Sequence, residues 1–129
     1  MRGLNGVQHT RYTIVMRTRP AASPGTIEHQ QYALSKTRPL QIMDVHITTP
    51  VQQPVYDFHY AYEIGIILSG KIHRYASGQE FDCEPGDLWC CGMWESHGYT
   101  TGVVPCHLCV IVIWPPLLAT LRLPAASSL

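Results

Sequence analysis

Charge is scarce in this sequence. Only 14% of its 129 residues are Asp, Glu, Lys or Arg, and the nine bases balance the nine acids. A neutral chain of this kind has no overall charge with which to hold nucleic acid, an anionic membrane or an acidic substrate. Long hydrophobic runs are also missing. The longest, residues 108–114, ends at Pro115-Pro116 and is far short of the roughly 20 residues that a membrane-spanning helix needs. No apolar run of secretory type stands at the N-terminus, and the five cysteines are odd in number. A soluble protein of the reducing cytoplasm, without a membrane partner, is the expectation. There is no G-x-S-x-G, P-loop or dinucleotide fingerprint, so serine-hydrolase and nucleotide-dependent classes have no support. Internal repeats are absent, and no segment is long enough for a helix-turn-helix once strands are assigned.

What is present is a succession of short β segments. From Leu40 onward, residues 40–47, 63–70, 71–77, 79–84, 87–92 and 107–114 form apolar runs separated by turn signals. At this length they predict one β domain, a sandwich or closed barrel. Ser69-Gly70 and Ser77-Gly78 suit short hairpins between antiparallel neighbours, and "EPGD" at 84–87 has the Pro and Gly of a type II turn. Residues 1–39 read as an arm with one added strand at 11–17. Six of the nine bases lie there, and every acid but Glu28 lies between Asp44 and Glu95. A solvated arm is the simplest reading of that asymmetry. Residues 115–129 read as a short helical tail, opened by proline and carrying Leu117, Leu118 and Leu121 at helical spacing.

The chemistry-bearing residues are concentrated between Tyr56 and Tyr99. Asp57 and His59 share a face on a strand, Glu63 joins them if the strand runs on unbroken, and His97 follows after later turns. Two imidazoles with one or two carboxylates suit zinc, nickel, iron or manganese. The same groups also make a hydrogen-bonded polar floor without any metal. On that strand Tyr56, Phe58, Tyr60 and Tyr62 take the opposite face, and Trp89 and Trp94 are pocket walls or core. Cys106 and Cys109 form a C-x-x-C, but residues three apart on a strand face opposite ways, so buried structural thiols are expected there.

This stretch resembles the two motifs of the cupin superfamily. The first, G(X)5HXH(X)3-4E(X)6G, is matched by Asp57, His59, Glu63 and Gly70, with Asp57 in place of a histidine and no initial glycine. The second, G(X)5PXG(X)2H, is matched in spacing by Gly86, Gly92, Trp94 and His97, with Gly92 for proline and Trp94 for glycine. Within the superfamily the order of His59, Tyr62, Glu63, Gly70, "EPGDL" and His97 most resembles the N-terminal ligand-binding and dimerisation domain of AraC-type transcriptional regulators. The resemblance implies an all-β jelly-roll barrel over residues 40–114. It also implies a small-molecule effector held by His59, Glu63, Trp89, Trp94 and His97, a homodimer, and DNA contact only through modules that have no counterpart in this chain. The competing reading is a small metal-dependent cupin enzyme of dioxygenase or isomerase type, with metal on Asp57, His59, Glu63 and His97.

Overall fold

The computed structural model describes residues 8–12 and 27–121. Ten strands and one short helix occupy them: β1 (Gln8–Tyr12), β2 (Ile27–His29), β3 (Leu40–Ile47), β4 (Val51–Phe58), β5 (Tyr62–Ser69), β6 (Ile72–Ala76), β7 (Gln79–Cys83), β8 (Leu88–Cys91), β9 (His97–Thr101), β10 (Cys106–Ile113) and α1 (Pro115–Ala119). The strands form two five-stranded sheets, ordered β1-β3-β10-β5-β8 and β2-β4-β9-β6-β7. The parallel pairs are β1 with β3 and β2 with β4, and the rest are antiparallel. The expected all-β jelly-roll barrel is what the chain builds.

Period-two burial explains why these segments are strands. Along β10 buried and half-buried residues alternate without a break, so Cys106, Leu108, Val110 and Val112 point inward. They meet Val45 and Ile47 of β3 and Ile67 of β5 in one core. The opposite faces of Cys106 and Cys109 follow from the same alternation, with Cys106 buried and Cys109 half-buried. Two turns carry the expected chemistry. Ser77 and Gly78 both take positive φ in the tight β6–β7 hairpin, and Gly86 does so in the 84–87 turn, where the Asp87 amide donates to the Glu84 carbonyl.

Ser69-Gly70 departs from expectation. It does not join antiparallel neighbours, because β5 lies between β10 and β8 while β6 lies between β9 and β7 in the other sheet. Gly70 instead hands the chain from one sheet to the other. Its φ is +82°, and a β-carbon there would stand 2.8 Å from the Pro105 carbonyl oxygen and from Cys106 Cα. Segments 27–29, 51–58 and 97–101 are strands that the pattern of short apolar runs did not reveal. The added strand expected at 11–17 overlaps β1 only at residues 11–12; residues 13–17 lie outside the described residues, as does the tail beyond Leu121.

One position fixes the packing of β5 on β8. Gly65 pairs with Trp89 across the strands, and a β-carbon on Gly65 would fall inside the Trp89 indole. A strand glycine is tolerable here because the indole fills the space that its own side chain would take. Gly65→Ala is therefore expected to destabilise the fold by about 1–3 kcal/mol or more, as overpacking does. A urea midpoint equal to that of the parent protein would show that the indole is free to move aside.

Candidate functional site

The inward-facing positions of this barrel are not all apolar. Alternation along β5 turns Glu63 inward, along β6 Arg74, along β8 Trp89 and Cys91, and along β9 His97. Glu63, Arg74, His97 and His59 are all buried. Polar groups in such positions cost free energy unless each finds a partner. Glu63, Arg74 and His97 border an open cavity of about 510 Å³ between the sheets, whose walls include Tyr32, Val45, Tyr99 and Leu108.

The unbroken strand expected to carry Asp57, His59 and Glu63 is not there. β4 ends at Phe58, and Glu63 lies on β5 in the other sheet. The chain bends because His59 is buried at the corner, where its carbonyl accepts from the Trp94 amide and its Nδ1 lies 3.1 Å from the Ala61 carbonyl oxygen. The bend nevertheless brings the groups together. His59 Nε2 is 3.3 Å from Glu63 Oε2, and His97 Nε2 is 3.5 Å from the same oxygen and 3.0 Å from Asp57 Oδ1. Register across β4 and β9, which sets Asp57 opposite His97, accounts for the last of these contacts.

The two imidazoles are held alike. His97 Nδ1 sits 2.8 Å from the Glu95 carbonyl oxygen, as His59 Nδ1 sits by that of Ala61. A carbonyl only accepts, so each Nδ1 carries a proton that it donates, and each Nε2 is left facing a carboxylate. A neutral imidazole in that orientation turns its lone pair toward an anionic oxygen. The arrangement therefore calls for a cation within the cluster, either a proton or a metal ion. Histidines that ligate metals are oriented by this same anchoring of the second nitrogen.

Glu63 sits at the centre. Its Oε1 accepts from Trp89 Nε1 at 2.8 Å and lies 3.7 Å from Arg74, leaving Oε2 for the histidines. Burial works against its charge, but hydrogen bonds from His59 and His97, the His97 charge and the Trp89 bond overcome it and hold the carboxyl well below the usual range. For His97, burial is the largest influence and disfavours the imidazolium. Hydrogen bonds to Asp57, Cys91 and Glu63, with the Glu63 charge, outweigh it and push the pKa up to about 12. Among the described residues, two buried side-chain polar atoms make no hydrogen bond, Asp57 Oδ1 and Arg74 Nε. The first lies at ion-pair distance from His97 without a properly aimed N–H.

Four of the five expected ligand-binding residues, His59, Glu63, Trp89 and His97, meet at this place, and so do all four candidate metal ligands. Trp94 does not. It is 54% exposed and lies outside the barrel among His29, Phe58 and Tyr60. Its φ of +59° explains why the cupin pattern has glycine there, since a side chain in left-handed backbone is disfavoured. Tyr56, Phe58, Tyr60 and Tyr62 do not enter the polar cluster: Tyr56 and Phe58 pack edge-on against Tyr75 and stacked on His29. Three participants escaped the sequence reading. Arg74 places its guanidinium 4.4 Å above the Trp89 ring and donates to Cys91 Sγ at 3.2 Å. Cys91 pairs across the strands with Glu63 and joins Glu63 and His97 in a compact donor group. Tyr32, from the segment read as an arm, packs edge-on against His59, and burial, then the Glu63 and Asp57 charges, raise its pKa. Inward alternation would have flagged Arg74 and Cys91; nothing local marks Tyr32.

No protein-family profile matches this sequence, and no curated protein matches it. Solved structures do. The cupin_2 domain of an XRE family transcriptional regulator from Enterobacter cloacae superposes with a TM-score of 0.55 at 12% identity, covering 65% of this chain and 90% of that one. A cupin 2 conserved barrel domain protein from Salinispora arenicola gives 0.54 at 15% identity, over 63% and 68%. An HTH_3 family transcriptional regulator from Vibrio cholerae gives 0.52 at 18% identity, over 60% of this chain and 44% of that one. At these identities the likeness establishes the fold, and the fold of this chain is that of the cupin barrels.

Proposed function

We propose that the chain is an effector-sensing and dimerisation domain of the AraC type, which binds a small polar molecule in the barrel and acts on DNA through modules carried elsewhere. The observation that carries this reading is the cavity floored by Glu63, His97 and Arg74, in which the buried Arg74 Nε has no hydrogen-bond partner and Asp57 Oδ1 has only its ion-pair contact with His97. An unpaired buried polar group is costly, so a ligand that supplies an acceptor to Arg74 Nε gains an interaction that the protein's own residues do not provide. The cupin domains of regulators among the structural neighbours support the sensing role. Self-association fits the outer face of the first sheet, where Ile111 lies in register between Ile42 and Ile64 and Leu88 is 64% exposed.

A metal-dependent cupin enzyme is the second reading, favoured by the two anchored Nε2 atoms. The donor set fits a divalent transition ion on His59, His97 and Glu63, with Asp57 and Cys91 in reach. Such an ion would supply Lewis-acid polarisation of a bound oxygen. The chain's own part would be to hold the imidazoles in one tautomer, and to exclude bulk water with Tyr32.

Elemental analysis with native mass spectrometry, on protein isolated without chelators, separates the two. A bound small molecule is expected, with well below one equivalent of metal that His59→Ala and His97→Ala remove, and Arg74→Ala should lose the molecule while remaining folded. One equivalent of a transition metal, lost together with a measurable turnover in His59→Ala and His97→Ala, would establish the enzyme instead.

Proton linkage gives a second test. The His97 pKa is raised above its ordinary 6.5, so its contribution to stability is complete below about pH 6.5 and is lost as pH rises toward 12. The Glu63 pKa is depressed, so its contribution is present above its ordinary 4.5 and is lost as pH falls. Metal-free protein should be most stable between these values and should weaken from pH 6.5 to 9 with a slope of up to about 1.4 kcal/mol per pH unit. Urea unfolding at a series of pH values reads the slope, and His97→Gln should flatten it. A parent slope already flat over that range would contradict the buried imidazolium.

Sedimentation velocity at micromolar concentration is expected to show a dimer that Ile111→Glu converts to monomer. A dimer unaffected by that substitution would place the contact elsewhere.

A further inference from the structure

A second group of metal-ligating side chains lies on the opposite side of the first sheet. Along β3, Val45 and Ile47 are buried while Asp44 and His46 alternate with them and face outward. Register between β3 and β10 sets His46 directly opposite His107. The two rings stack at 4.0 Å with an interplanar angle of 17°. Each turns its Nε2 to a different oxygen of Asp44: His46 to Oδ2 at 3.3 Å, and His107 to Oδ1 in a short contact of 2.5 Å. The three donor atoms lie within 4.8 Å of one another.

We propose that Asp44, His46 and His107 form a surface site for a divalent transition-metal ion of the zinc, nickel or copper class, separate from the barrel interior. Two imidazoles with one carboxylate are borderline donors that suit these ions better than calcium or magnesium, which prefer all-oxygen shells. The two histidines are held by direct pairing with each other in the unbroken β3–β10 ladder, and their rings already stack, so little side-chain ordering remains to be done on binding. The side chains are between 32% and 48% exposed, which leaves the remaining coordination positions to water and gives the ion direct access from solvent. The alternative is a carboxylate clamped by two imidazole N–H groups with no role for metal. That clamp uses the same Nε2 atoms, so metal and proton compete for one position and a metal titration distinguishes them.

The full chain, stripped of metal and titrated with Zn²⁺ in competition with a chromophoric chelator, provides the test. His46→Ala and His107→Ala should each lower the number of tightly held zinc ions by one relative to the parent, whatever the interior binds. Both positions face solvent, so their melting temperatures without metal should stay near that of the parent. Zinc stoichiometry and affinity unchanged in both variants would overturn the proposal. If either variant misfolds, the parent alone suffices: the ring resonances of His46 and His107 should move on adding Zn²⁺, and resonances that stay in place would overturn it equally.

Discussion

A single buried carboxylate organises the interior of this barrel. Glu63 occupies a position that strand alternation assigns to the core, and in a low-dielectric setting an ionised group there is sustained only by what surrounds it. Trp89 and Arg74 serve one of its oxygens and the two histidines the other. Removing any one of them leaves a charge or a dipole without its counterpart, and the loss is larger than that of an exposed ion pair because solvent is not present to replace it. The cavity is a consequence of the same constraint. Arg74 and His97 are too polar to be closed over by apolar side chains, so the sheets stay apart around them.

The packing of β5 on β8 depends on this centre and supports it. Trp89 reaches Glu63 only because Gly65 vacates the space that the indole crosses. His97 reaches Asp57 because β4 and β9 are paired in that register, and His59 reaches Glu63 because β4 stops at Phe58 and the chain turns inward. Three unrelated pieces of backbone geometry thus converge on one polar cluster around Glu63. The aromatic cluster of His29, Phe58, Tyr60 and Trp94 lies outside the wall and is built from the same strand end, facing the other way.

Much of the barrel was legible in the sequence where both faces of a strand differ. Residues 106–113 alternate in burial throughout and 40–47 over their last four positions, and turn residues at 77–78 and 84–87 announce themselves by chemistry. Only the end of 51–58, from Tyr56, was legible as a strand, because Gln52, Gln53 and Pro54 break the apolar pattern of a segment whose partners lie far along the chain. The same holds for 97–101, where His97, Gly98 and three hydroxyl-bearing residues look like a loop but are enclosed by β4 and β6. The ligand set was legible from residue type and spacing, although the single strand imagined for it does not exist. Trp94 misled for a physical reason: its spacing fits a pocket motif, but left-handed backbone swings the ring to the surface. Arg74 was missed because a lone basic residue in a short strand reads as solvated unless its inward phase is counted.

Both interior imidazoles present Nε2 to Glu63, and a cation between ring and carboxylate is what makes that approach favourable. Two-dimensional ¹⁵N–¹H correlation of the histidine rings in metal-stripped protein observes this directly. At pH 8 the account predicts a protonated Nδ1 on His59 and a His97 ring protonated at both nitrogens. A neutral His97 that titrates near the ordinary 6.5 would contradict it.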